Sequence, residues 1–326
     1  MRIHFRPGAG PGRESLILGV YSEWQSHGGL FTLGILFIQM HHIGTLVYRM
    51  RNMQKGGHEK ERSQRVSEVT DAWTRYYEQG NGVALGRQSV ELTMQYQRFL
   101  ACKLVEEISH RLESKDSLFI WSAGSGVDKI ALRVKALFRN SVKITLMDIS
   151  DACMSANRTM FSRYGLDASF LVGDIFKERL EPRFDVIFNT GLLEHFQMPD
   201  QERLLTIFSR SLLPGGSYLT VTPWAGGKIY GYCKKRMMEK GMWPYGPEDA
   251  IGTLKTLDGS GLSLIEEYPI ASLDQFEALI PCAFPIIGTL SRHAVHLAKR
   301  YPSFIEPILL RILGGYCLFD KFVKYP

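Results

Sequence analysis

The chain has 326 residues, 45% of them hydrophobic and 22% charged, with a net charge of +6. That balance suits a folded protein with a sizeable core and excludes a chain disordered throughout. The basic excess is spread along the whole length, which argues against nucleic acid as a partner. The five cysteines form no C-x-x-C pair, which argues against a metal centre or a disulfide framework and fits reduced thiols in the cytoplasm.

Residues 1–66 read as an N-terminal extension. The first thirteen, MRIHFRPGAGPGR, are rich in Gly, Pro and Arg. The stretch 28–48, GGLFTLGILFIQMHHIGTLVY, then lacks Asp, Glu, Lys and Arg, with Arg49, Arg51 and Lys55 close behind. Length and flanking charge permit a membrane span, but Gln39, His41 and His42 would be costly inside one. An interfacial or core-packed helix is the second reading. The third takes Met53 as the true start and 1–52 as upstream sequence.

From Glu68 to Leu112 the pattern is helical, with Leu92, Tyr96, Phe99, Leu100, Leu104 and Ile108 recurring on one face. Strands and helices then alternate. SLFIWS (117–122), VKITLMD (142–148), ASFLVGD (168–174), FDVIFNT (184–190) and SYLTVTP (217–223) read as strands. Residues 127–138, 151–164 and 199–212 read as the helices between them, the last stopped by Pro214-Gly215-Gly216. This is an α/β pattern, a doubly wound and mostly parallel sheet whose ligands bind at the strand C-termini.

The candidate binding groups fall at those C-termini. Gly124 and Gly126 in SAGSG let the backbone pass close under a ligand, at the N-terminus of a helix. Asp148 lies 22 residues beyond Gly126, placed to accept both hydroxyls of a ribose, and Asp174 can meet an adenine amino group. Each Asp taken singly could merely cap a helix or turn; four consecutive strand ends form the sharper signal. Lys129 stands where a dinucleotide fingerprint needs its third glycine, so an NAD-linked oxidoreductase falls to second place.

These segments resemble the class I S-adenosylmethionine-dependent methyltransferases, of the small-molecule type found in quinone biosynthesis. The resemblance rests on SAGSG, LMDISDACMSAN, FLVGDIF, FDVIFNTGLLEHF and LLPGGSYLTVT. It departs from the family pattern at Ser122, which replaces the first glycine, and at Ile120, which replaces an acid. It implies a seven-stranded Rossmann-like sheet, with LSLIEEYPI and YCLFDKFVK supplying the last two strands. It implies a methyltransferase domain over 67–326 and a cofactor-binding core over 117–223. S-adenosyl-L-methionine would be held by Ser122, Gly124, Gly126, Asp148, Ile149, Asp174, Ile175, Asn189 and Thr190. Tyr77, with Tyr76, would close over it from the upstream helix.

Methyl transfer needs alignment more than activation, and a base only for a poorly ionised acceptor. His195 is the candidate base and Glu194 the alternate. Residues 224–248 hold five aromatics suited to an acceptor pocket: Trp224, Tyr230, Tyr232, Trp243 and Tyr245. Residues 271–314 form an insertion of short amphipathic helices, suited to a lid, a dimer surface or a peripheral membrane contact. The partner expected is a small, apolar or lipophilic acceptor methylated on oxygen or carbon. The competing reading is a non-catalytic binding protein on the same fold.

Overall fold

The computed structural model describes residues 67–73, 75–76, 91–178, 180–241, 243, 248–255, 257, 260–276 and 302–325. The extension 1–66 and the centre of the insertion lie outside them. Among the described residues no helix is long and apolar enough to cross a membrane.

After a helical stretch at 67–73 comes α1 (Gln95–Leu112), then β1 (Leu118–Ala123), α2 (Lys129–Phe138), β2 (Val142–Asp148), α3 (Asp151–Arg163) and β3 (Ser169–Val172). β4 (Phe184–Thr190), α4 (Met198–Ser211), β5 (Leu212–Pro223), α5 (Lys228–Glu239), β6 (Ser263–Ile270), α6 (Pro302–Leu313) and β7 (Cys317–Val323) follow. The seven strands lie in the order β3-β2-β1-β4-β5-β7-β6. The first five are parallel, while β7 runs antiparallel to both β5 and β6. Strand order reverses between β1 and β4, and at such a switch point the loops leave a crevice above the C-terminal edge.

Successive strand residues face opposite sides, and both sides are covered. Ile120 and Ile144 pack with Leu100, Leu104 and Ile108 of α1, Ile130 of α2 and Phe161 of α3. Trp121, Ile187 and Tyr218 pack on the other face with Leu204, Leu205 and Phe208 of α4. Burial on both faces is why β1, β2 and β4 read as continuous apolar runs.

The strands agree with the sequence reading to within a residue or two, apart from the two ends where β3 and β5 differ. β3 stops at Val172. β5 begins five residues early, because Pro214-Gly215-Gly216 forms an irregularity within the strand, not a loop before it. Gly215 takes a φ of 74° there and donates its N–H to Lys324 O of the neighbouring β7 end.

The turn after β6 holds two helices in place. Asp274 carboxylate oxygens accept the N–H groups of Gln95 and Tyr96 at 2.9 Å each, supplying α1 with the cap its own sequence lacks. The Gln275 amide oxygen accepts from Ile229 and Tyr230 at the start of α5, and its nitrogen donates to Gly314 O at 2.7 Å. Tyr230 is thereby fixed at the crevice.

Candidate active site

A cavity of about 400 Å³ opens at the C-terminal edge of β1, β2, β3 and β4. Its floor is the turn after β1. Gly124 and Gly126 have φ values of 56° and 53°, a region that side chains disfavour. A Cβ on Gly124 would stand 2.7 Å from Leu192 Cδ1. Ser125 N–H donates to Met147 O at 2.9 Å, tying this turn to β2.

The turn has its own brace. Asp128 caps α2 by accepting Ala131 N–H at 2.8 Å, and its other oxygen accepts the Ser122 hydroxyl at 2.6 Å. Asn157 of α3 accepts Asp128 N–H at 3.0 Å and donates to Gly126 O at 2.7 Å. Burial raises the Asp128 carboxyl to about 6. The acid missing at Ile120 is thus replaced by one eight positions later, reaching back under the loop through Ser122.

Asp148 ends β2 at the cavity. One carboxylate oxygen accepts Gly126 N–H at 2.9 Å and the other accepts Ser150 N–H at 3.0 Å. Burial still raises its pKa. Each oxygen keeps a further lone pair for a ligand hydroxyl. Ile149 beside it is 37% exposed, an apolar face open to a flat ring. Asp174 accepts Phe176 N–H at 2.9 Å and pairs with Lys177 at 3.0 Å, so it caps a turn while lining the cavity with Ile175.

Gly124, Gly126, Asp148, Ile149, Asp174, Ile175, Thr190, Glu194 and His195 all line this one cavity. Ser122 and Asn189 do not. Ser122 is buried and spends its hydroxyl on Asp128. Asn189 is buried, donating to the Tyr218 hydroxyl at 2.9 Å and accepting from Thr220 at 2.6 Å. Tyr77 lies outside the described residues. Its neighbours Trp73 and Tyr76 line the cavity, with Trp73 donating its indole N–H to His195 Nε2 at 3.3 Å.

The far end of the cavity is acidic and aromatic. Glu194 and His195 occupy a short turn after β4 and are each 2% exposed. The strap at 248–251 docks beside them: Asp249 N–H donates to Glu194 O at 2.7 Å, and Ile251 N–H to Pro223 O at 2.8 Å. This brings Glu248 to the cavity, where Lys234 pairs with it at 3.1 Å and the Tyr230 hydroxyl donates to it. Burial, then the Glu248 charge, hold the Glu194 carboxyl well above its ordinary range and push the Tyr230 phenol up. Glu248 was missed by sequence reasoning. The signal was slight, an acid at the end of an aromatic loop.

The family model for a methyltransferase domain matches residues 120–216. Among solved structures, the chain is similar to a Burkholderia thailandensis 1,6-didemethyltoxoflavin N1-methyltransferase crystallised with S-adenosylhomocysteine. Identity is 11%, covering 85% of this chain and 94% of that one, with a TM-score of 0.51. It is also similar to a Synechocystis magnesium protoporphyrin IX methyltransferase with bound S-adenosylhomocysteine, at 10% identity over 78% of this chain and 99% of that one, TM-score 0.49. No curated protein matches the chain. With the β1 turn, the strand order and the matched core in agreement, the chain carries a class I S-adenosylmethionine-dependent methyltransferase domain.

Proposed function

We propose that the cavity holds S-adenosylmethionine at its β1–β3 end and a small acceptor with an apolar, ring-bearing body at its far end. The observation that carries this is the Asp148 carboxylate. It stands at the end of β2, is held open-faced by two backbone N–H groups, and shares one cavity with the turn at Gly124 and Gly126. A ribose diol fits the two remaining lone-pair directions. Ile149 and Ile175 would flank the adenine, Asp174 would take its amino group, and Thr190 would lie near the sulfur. Tyr76 would cover the amino-acid end.

When bound, S-adenosylmethionine supplies a methyl group on a sulfonium that is already activated. The chain's own part is alignment and exclusion of water. Trp73, Tyr96, Tyr230 and Tyr316 line the cavity and give the acceptor apolar walls. Of the two candidate bases, Glu194 is the better placed. His195 Nε2 already accepts from Trp73, while one Glu194 oxygen has no hydrogen-bond partner among the described residues. Calorimetric titration tests the cofactor half. S-adenosylhomocysteine is expected to bind and NAD is not, and the reverse would overturn the assignment.

A further inference from the structure

Two carboxylates meet at the far end of the cavity, and one ammonium answers them. Lys234 Nζ lies 3.1 Å from Glu248 Oε1, and the Tyr230 hydroxyl donates to the same carboxylate. Glu194 has no such company. Its Oε2 is buried and accepts no hydrogen bond among the described residues. Its Oε1 lies 3.9 Å from His195 Nε2, a nitrogen that already accepts the Trp73 indole N–H. A buried polar atom without a partner is costly, and a charged one more so. Proteins keep such groups where a ligand is to complete them.

We propose that this end of the cavity recognises the acceptor by a positively charged nitrogen, an ammonium or amidinium, whose N–H groups are taken by Glu194 with Glu248 alongside. The inference rests on the methyltransferase reading above and moves the acceptor from a lipophilic alcohol or carbon acid to an amine. Lys234 is taken by Glu248, and among the described residues no Lys or Arg pairs with Glu194, a place that an organic cation fills. Trp73, Tyr230 and Tyr316 line the same cavity, and aromatic rings attract cations. A hydroxyl brings one donor and no charge, and an anionic ligand is repelled. The proton has a destination when the nitrogen must become nucleophilic: its N–H bond breaks, an O–H bond forms on Glu194, and the lone pair stays on nitrogen.

A metal ion is the competing occupant, because ligand atoms of Glu194, His195 and Glu248 lie within 4.8 Å of one another. It fits less well. A cation bound by all three would displace Trp73 from His195 and compete with Lys234 for Glu248, two interactions already made. An ammonium needs only the Glu194 oxygen that no described residue uses.

The test is calorimetry on the full chain saturated with S-adenosylhomocysteine, using 2-phenylethylammonium, 2-phenylethanol and 3-phenylpropanoate as matched probes. The ammonium is expected to bind at least about ten-fold more tightly than the alcohol, and the carboxylate not at all. Glu194→Gln should bring the ammonium down to the alcohol's affinity. The same variant should raise the Tm of the ligand-free protein, since it removes the uncompensated carboxyl. The proposal is overturned if ammonium and alcohol bind alike, if no probe binds, if the preference survives in Glu194→Gln, or if magnesium or manganese binds and Glu194→Gln abolishes that binding. Failure of S-adenosylhomocysteine itself to bind would overturn the methyltransferase reading instead, and is seen in the first titration before any probe is added.

Discussion

The two ends of the cavity are built on different terms. At the β1–β3 end the polar groups are set by the backbone: glycines at positive φ, and a carboxylate fixed by two main-chain N–H groups. At the far end they are side chains gathered from separate segments, Trp73, Glu194 and His195, Tyr230 and Lys234, and Glu248. The first end is complete without a ligand. The second leaves a buried carboxylate oxygen unpartnered among the described residues. A cofactor common to many reactions can be bound by features of the fold, whereas the acceptor must be read by groups the fold does not dictate.

Removing the anchor of the first end should have the largest effect. Asp148→Ala frees the N–H groups of Gly126 and Ser150 and, with the cofactor placed as proposed, takes away both ribose contacts. A loss of about 3 kcal/mol is expected, roughly 100-fold in the Kd for S-adenosylhomocysteine by titration. Unchanged affinity would place the cofactor elsewhere.

The brace beneath the loop comes next. Asp128→Ala removes the α2 cap, worth about 1 kcal/mol, and leaves the Ser122 hydroxyl buried without its acceptor, about 1–3 kcal/mol more. The Tm should fall by about 5 °C, and cofactor affinity by several-fold, as the turn loosens. Asp128→Asn should lose much less. Its amide oxygen can still cap the helix and its nitrogen can donate to Ser122. Equal losses in the two variants would mean that charge, not this geometry, holds the loop.

That brace shows where sequence reading stops. β2 and β4 were legible because strands buried on both faces are short apolar runs closed by polar residues. The same period of two explains the misplacement of Asn189. Adjacent strand residues face opposite ways, so when Thr190 faces the cavity Asn189 goes into the core toward Tyr218. In sequence Ser122 is a replacement for the first glycine and a candidate cofactor contact, but its role depends on Asp128, which meets it only when the turn is folded. Glu248 depends on the strap hydrogen-bonding against the Glu194 turn, a contact spanning more than fifty residues. Motif spacing records what the fold repeats, and carries little about side chains that meet only in tertiary structure.

Glu194→Gln sharpens the comparison from the acceptor side. The affinity for S-adenosylhomocysteine should stay within about two-fold, because the first end owes nothing to this carboxyl. A larger loss would show the two ends to be coupled.

Asp320 supplies the control, a buried carboxyl with no ligand to serve. It lies on β7 with both oxygens lacking a hydrogen-bond donor among the described residues, and burial, with Glu267 on the neighbouring strand, raises its pKa from 3.8 to about 8. The folded value exceeds the unfolded one. Its contribution is therefore most favourable below pH 3.8 and is lost progressively as the pH rises to about 8. Asp320→Asn should accordingly raise the Tm, with a gain that grows from pH 5 to pH 8 and then levels, reaching at least about 1 kcal/mol or 2–4 °C. Both Glu194→Gln and Asp320→Asn should stabilise the empty protein, and only Glu194→Gln should alter which probe binds. Melting curves across pH, set beside the probe titrations, separate an unpaired carboxyl kept for a ligand from one the sheet merely tolerates.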